Sequence, residues 1–118
     1  MVRLAIVGSR NFTDQEFFNE CMSKFVKEYG SPTKIISGGA RGADTLAEEY
    51  AKREGIILTI HNPDWELHGK SAGPIRNALI VKDCNIVLAF PSKNGRGTQD
   101  TIKKANDANK KVVIHWVQ

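Results

Sequence analysis

The chain predicts a Rossmann-like α/β domain spanning residues 1–118. In it, helices cover both faces of a five-stranded parallel sheet in the order 3-2-1-4-5. Three observations predict it. Five short runs rich in Ile and Val recur along the sequence, and they lack strict alternation, as strands covered on both faces do. Helical patterns separate the runs, and such alternation implies right-handed crossovers between parallel strands. The glycine-rich and basic segments all follow strands, and the carboxyl ends of the strands are where ligands bind in open α/β sheets.

The elements follow in order. Arg3 to Val7 reads as the first strand. Thr13-Asp14-Gln15-Glu16 fits a capping box that opens a helix. Phe17, Phe18, Cys21, Met22, Phe25, Val26 and Tyr29 repeat at spacings of three and four, a stripe that reads as core packing. Gly30 stops this helix and Pro32 prevents its resumption. Lys34 to Ser37 is the second strand. The second helix runs from about Ala43 to Arg53, with Leu46, Ala47, Tyr50 and Ala51 inward and Gly55 as its C′ residue. Ile56 to Ile60 is the third strand. His61 to Gly73 then reads as a loop of thirteen residues, long enough for a lid or pocket wall. The third helix begins at Gly73-Pro74, with Pro74 at its first position and Ile75, Ala78 and Leu79 inward. Asn85 to Phe90 is the fourth strand. The fourth helix begins near Gly97-Thr98 with Ile102, Ala105 and Ala108 inward, and Lys111 to Trp116 is the fifth strand.

Composition narrows the function classes. Hydrophobic residues make up 41% and charged residues 25%, which is globular and not disordered. No apolar run approaches the ~20 residues of a membrane span, so no membrane partner is expected. The N-terminus leads directly into a strand pattern, so no leader peptide is expected. Cys21 and Cys84 have no motif spacing, which argues against a disulfide scaffold and for a reduced, cytoplasmic setting. The net charge of +4 suits an anionic ligand without demanding a nucleic acid. Lys103, Lys104, Lys110 and Lys111 read as a solvated face around the last helix.

Four loops carry the candidate chemistry. In Gly8-Ser9-Arg10, the glycine permits a tight turn, the serine donates to an oxygen and the arginine offers a two-pronged phosphate contact; the bland alternative is a turn with an exposed arginine. In Ser37-Gly38-Gly39-Ala40-Arg41-Gly42-Ala43-Asp44, Gly38, Gly39 and Gly42 are candidates to cradle an anion at a helix N-terminus, with Arg41 adding charge. Asp44 suits a helix cap first and a ribose hydroxyl second. This spacing is neither the dinucleotide fingerprint nor a Walker loop. In the third loop Trp65 suits stacking on a base or anchoring the loop, and His68 and Lys70 suit an anion. No carboxylate, His or Cys lies at metal-ligand spacing, so no metal is expected, and no pattern asks for a cofactor. Arg76-Asn77 falls in the first turn of the third helix, where a cation opposes the helix dipole, so its presence points to function. Gly95, Gly97 and Thr98 form a second cradle, with Thr98 both capping and donating. No nucleophile–base–orienter triad is visible.

Taken in order, these residues resemble the SLOG superfamily, and within it the small YspA-like, YpsA-related proteins. The matching segments are Ile6-Val7-Gly8-Ser9-Arg10 with Phe12 and Asp14, Ser37 to Asp44, Pro63-Asp64-Trp65, His68-Gly69-Lys70, Ala72-Gly73-Pro74-Ile75-Arg76-Asn77 and Gly97-Thr98. The resemblance implies a domain that binds a nucleotide-derived small molecule on these loops, with a homo-oligomer compatible with it. Two relatives define the alternatives. In the cytokinin-activating phosphoribohydrolases, which split a base from a nucleoside monophosphate, an arginine resembling Arg76 is catalytic. Their glutamate, three residues past Gly-Thr, falls on Thr101 here, with Asp100 beside it. The DNA-processing protein A family, which binds single-stranded DNA, shares the Gly-Ser-Arg turn, the Ser-Gly loop and the Arg-Asn pair. Nucleic acid is the less favoured partner, because only Trp65 is placed to stack on a strand.

Overall fold

The computed structural model describes all residues 1–118. Its strands are β1 (Arg3–Gly8), β2 (Lys34–Ser37), β3 (Ile57–Ile60), β4 (Ile86–Phe90) and β5 (Lys111–Ile114). All pairs are parallel, in the order β3-β2-β1-β4-β5. The helices are α1 (Gln15–Tyr29), α2 (Ala43–Glu54), the single turn α3 (Trp65–His68), α4 (Ala72–Asp83) and α5 (Arg96–Asp107).

The strands distribute their side chains alternately to two cores. Leu4, Ile6, Ile35, Leu88 and Phe90 pack against Phe18, Met22 and Phe25 of α1 and Leu46, Ala47 and Ala51 of α2. The intervening residues Ala5, Val7, Ile36, Val87 and Ala89 pack against Ile80 and Val81 of α4 and Ile102 and Ala105 of α5. Phe90 anchors the first core at the ligand edge, with its ring 4.9 Å from Phe12 and 5.5 Å from Phe18.

Several boundaries differ from expectation for local reasons. Asp14, not Thr13, is the N-cap of α1, and its carboxylate accepts from the Phe17 amide at 3.0 Å. Residues 61–73 are not an open loop. Asp64 caps α3, a 3₁₀ turn spans Gly69–Ser71, and α4 starts at Ala72. Pro74 therefore occupies the third helical position, still within the first turn, where the missing N–H costs nothing. The inward face of α4 is rotated from the predicted one. Asn77, Ile80 and Val81 are buried, while Ile75 and Leu79 are exposed. Two apolar stripes compete on this helix, and the one that carries polar Asn77 faces inward because Asn77 has bonding partners there. Ala108, also expected inward, is the C-cap residue of α5 and is exposed.

The connections from β1 lead to one side of the sheet and those from β4 to the other. The segments following β1, β2, β3 and β4 therefore gather at one edge, around the point where the strand order reverses.

Candidate functional site

Two cavities open at this edge. The inner one, about 320 Å³, lies between the segment following β1 and the one joining β4 to α5. Ser9, Arg10, Asp44, Arg76, Gly97 and Thr98 are among its walls. The outer one, about 530 Å³, is walled by Gly38, Gly39, Arg41, Glu48, Asn62 and Trp65, among others. Arg10, Ala40 and Arg76 belong to both and form the partition between them. Both volumes fall in the roughly 300–1,000 Å³ range of small-ligand sites.

The inner cavity ends on the N-terminus of α5. Gly95 is the N-cap residue, and the first backbone bond of the helix is Gln99 N–H to the Gly95 carbonyl at 3.2 Å. The amides of Arg96, Gly97 and Thr98 precede that bond and have no intrahelical acceptor. A Cβ added at Gly97 would meet nothing within 4 Å, so the backbone there is open to a guest. Thr98 does not cap the helix, contrary to expectation. It is a buried residue of the first turn and lines the cavity.

The glycine-rich segment after β2 is built differently. Gly42, at φ 74°, is the N-cap residue of α2 and lines neither cavity. A side chain there would run into the backbone of Ser9 and Arg10. The Ala43 amide donates to the Ser9 carbonyl at 3.1 Å, so the protein's own chain closes this helix end. The expected cradle at Gly42 is therefore a packing joint. Gly8 serves the same junction: a Cβ there would lie 2.6 Å from the Phe90 carbonyl and 2.8 Å from Ala43 Cβ.

Asp44 does not cap α2 either. It lies one residue into the helix, buried, and accepts from the Ala40 amide at 3.1 Å, bracing the glycine loop from below. Burial pushes its carboxyl up to about 6, against the pull of the Ala40 amide and of Arg76. Arg76 ties the two glycine loops together. Its guanidinium donates to the Gly38 carbonyl at 2.5 Å and to Asn77 Oδ1 at 2.8 Å. Asn77 Nδ2 in turn donates to the Gly97 carbonyl at 3.2 Å and to Asp100 at 3.0 Å. The bonding capacity of Asn77 is thus spent inside the protein, and it shapes the cavity instead of offering free donors. Burial lowers the pKa of Arg76, and the charge of nearby Arg10 acts in the same direction. The carboxylate of Asp44 opposes both effects at Arg76.

Trp65 stands at the rim of the outer cavity, half exposed, with its ring tip 3.7 Å from where a Gly73 Cβ would sit. Gly39, at φ 74°, and Arg41 line this cavity too, apart from the α5 amides. His68 and Lys70 are exposed on the short helical turns and border neither cavity. Glu48 and Asn62 escaped the sequence reading, and Thr101 entered it only as the position of a relative's glutamate. Glu48 lies one turn after Asp44 on the same face of α2, a spacing visible in the sequence. Asn62 had no signal, because its place depends on the bend that follows β3.

Residues 2–68 match the family described as YspA, cpYpsA-related SLOG (YAcAr). The chain belongs to this family. It is 34% identical over 119 residues to the Gene 61 protein of Mycobacterium phage D29, covering 96% of this chain and 95% of that protein. Among solved structures, DNA processing protein A of Streptococcus pneumoniae superposes with a TM-score of 0.76 at 19% identity over 97% of this chain. The same protein from Helicobacter pylori, described there for its single-stranded DNA binding mode, gives 0.72 at 18% over 96%. These likenesses show the fold. The SLOG-family chain spans 50% and 64% of the two larger proteins.

Proposed function

We propose that this edge binds a small phosphorylated nucleoside derivative, as a sensor, sponge or carrier of that ligand. The observation that carries the reading is the open N-terminus of α5 facing Arg10 and Arg76 across the inner cavity. Free amides and the positive end of the helix dipole hold a phosphate there, with the Ser9 hydroxyl and Thr98 as further donors. The sugar lies at the partition near Asp44, and the base enters the outer cavity under Trp65. Family membership supports a nucleotide-type ligand.

As an N-glycosidic hydrolase the site lacks the family carboxylate on α5. Thr101 is buried against the inner cavity and donates to the Gly97 carbonyl at 3.2 Å. Asp100 points elsewhere, toward Asn77 and Lys104. A single-stranded DNA reading draws on the description of the Helicobacter pylori neighbour, whose fold this chain shares.

Calorimetric titration with nucleoside monophosphates and the parent nucleosides tests the proposal. Monophosphates bind at least tenfold tighter than nucleosides, and Arg10→Ala removes most of that advantage, since a charge-assisted bond contributes about 1.5–3 kcal/mol. Chromatography of the same mixtures shows no free base. Equal binding of nucleoside and nucleotide refutes the phosphate assignment, and release of free base that Arg76→Ala abolishes establishes the hydrolase instead.

A further inference from the structure

The outer cavity contains a carboxylate that the phosphate-and-stacking scheme does not use. Glu48 is half-buried and faces this cavity, which also holds three guanidinium groups, those of Arg10, Arg41 and Arg76. It forms a salt bridge with none of them. Its orientation is set from the sheet. The fully buried Ser37 hydroxyl accepts from the Gly39 amide at 3.2 Å and donates to Glu48 Oε2 at 2.7 Å. One carboxylate oxygen is thereby held, while Oε1 has no hydrogen-bond partner within the protein. Trp65, Asn62 and Pro63 line the same cavity. This is the composition of a base pocket: an aromatic face to stack on, and fixed polar groups to read an edge.

We infer that Glu48 selects the base, favouring one that carries an exocyclic amino group (adenine, guanine or cytosine) over its deaminated counterpart. A carboxylate only accepts hydrogen bonds. An amino group donates to it, whereas a carbonyl oxygen at the same place opposes it and leaves both groups unpaired. Sites built to bond a donor reject analogues that lack it far more strongly than apolar pockets reject a missing methylene. The inference rests on the nucleotide reading above, because it presumes that a base reaches the outer cavity while phosphate is held at α5.

The test compares AMP with IMP, GMP with XMP, and CMP with UMP, by calorimetry on the wild-type protein and on Glu48→Gln, with ribose 5-phosphate as a base-free probe. For the ring size that fits, the amino-bearing nucleotide binds at least tenfold tighter. Glu48→Gln, whose amide both donates and accepts, brings the ratio within about threefold while ribose 5-phosphate affinity stays unchanged. Ser37→Ala, which frees the carboxylate without removing it, gives an intermediate ratio. A wild-type ratio near one, a preference for the deaminated base, or a ratio untouched by Glu48→Gln overturns the role of Glu48 and leaves the phosphate site standing. Failure of ribose 5-phosphate and of every nucleotide to bind overturns both.

Discussion

At the scale of single residues, the two glycine loops that look alike in sequence do opposite work, and substitution separates them. At Gly42, with its positive φ and the backbone of Ser9 and Arg10 in the path of a side chain, Gly42→Ala is expected to lower stability by about 2 kcal/mol or more. At Gly97 a methyl group meets open space, so Gly97→Ala keeps stability within about 0.5 kcal/mol or raises it slightly. It narrows the approach to the α5 amides and weakens phosphate binding several-fold. Denaturant melts and titrations of both variants check this, and a destabilised Gly97→Ala with intact binding contradicts it. Asp44 supplies a pH test. Its carboxyl is raised from 3.8 to about 6 by burial, so the folded state holds the proton more tightly than the unfolded chain. The site's contribution to stability is therefore greatest below about 4 and is lost as pH rises through 6, by about 3 kcal/mol at most. Asp83 and Asp100 have lowered pKa values and tilt stability the other way, but they are common to wild type and Asp44→Asn. The difference between the two stability curves isolates Asp44: the gap shifts toward the variant from pH 4 to pH 7. A constant gap shows that Asp44 titrates as an ordinary exposed carboxylate.

At the scale of elements, local chemistry was readable wherever one signal acted alone. The α1 stripe of Phe18, Cys21, Met22 and Phe25 is buried as its spacing predicts. Gly55 takes the left-handed conformation at φ 68°, as its position after α2 predicts. Signals in competition misled. Thr13 and Asp14 are both good caps, and Asp14 wins: its carboxylate bonds the Phe17 amide, and its negative charge lies at the positive end of the helix. Asp14→Ala is accordingly expected to cost about 1 kcal/mol and Thr13→Ala less than half of that, a difference that urea melts resolve. On α4 the apolar residues Ile75 and Leu79 outweigh Asn77 in any hydropathy pattern. The burial of Asn77 depends on partners at Gly97 and Asp100, 20 and 23 residues away in sequence. Such long-range polar clamps leave no periodic trace, which is why the sequence offered the Arg76-Asn77 pair only as a candidate for ligand contact and gave no sign of its bracing role. The predicted identity of the two cradles failed for the same reason. What closes the α2 end is the Ser9 carbonyl, supplied by a distant loop.

At the scale of the whole molecule, the distribution of charge bears on the choice between a compact ligand and a strand. The excess of +4 is small, and part of the basic residue set is neutralised locally. Lys103 pairs with Asp107, Lys104 with Asp100, and Lys34 with Asp83. Among the others, Arg10, Arg41, Arg76 and Arg96 line the two adjoining cavities at the carboxyl edge of the sheet, while Lys82 and Lys110 lie away from them. On the proposed reading, one guest spans both cavities, held at a phosphate and a base. A strand tracking the surface would need a continuous basic path with repeated stacking platforms, and Trp65 is the lone tryptophan of these cavities. Salt titration converts this contrast into numbers. Each phosphate neutralised on a single strand adds about 0.7 to the slope of log K against log salt. A nucleoside monophosphate is expected to bind with a slope magnitude of about 1 to 2, and oligothymidylates of two to twelve residues gain little affinity or slope with length. Affinity that climbs more than tenfold over that series, with a slope steeper than about −3, would reassign the edge to single-stranded DNA. In that case the α5 amides would mark one phosphate station along a path that continues beyond both cavities.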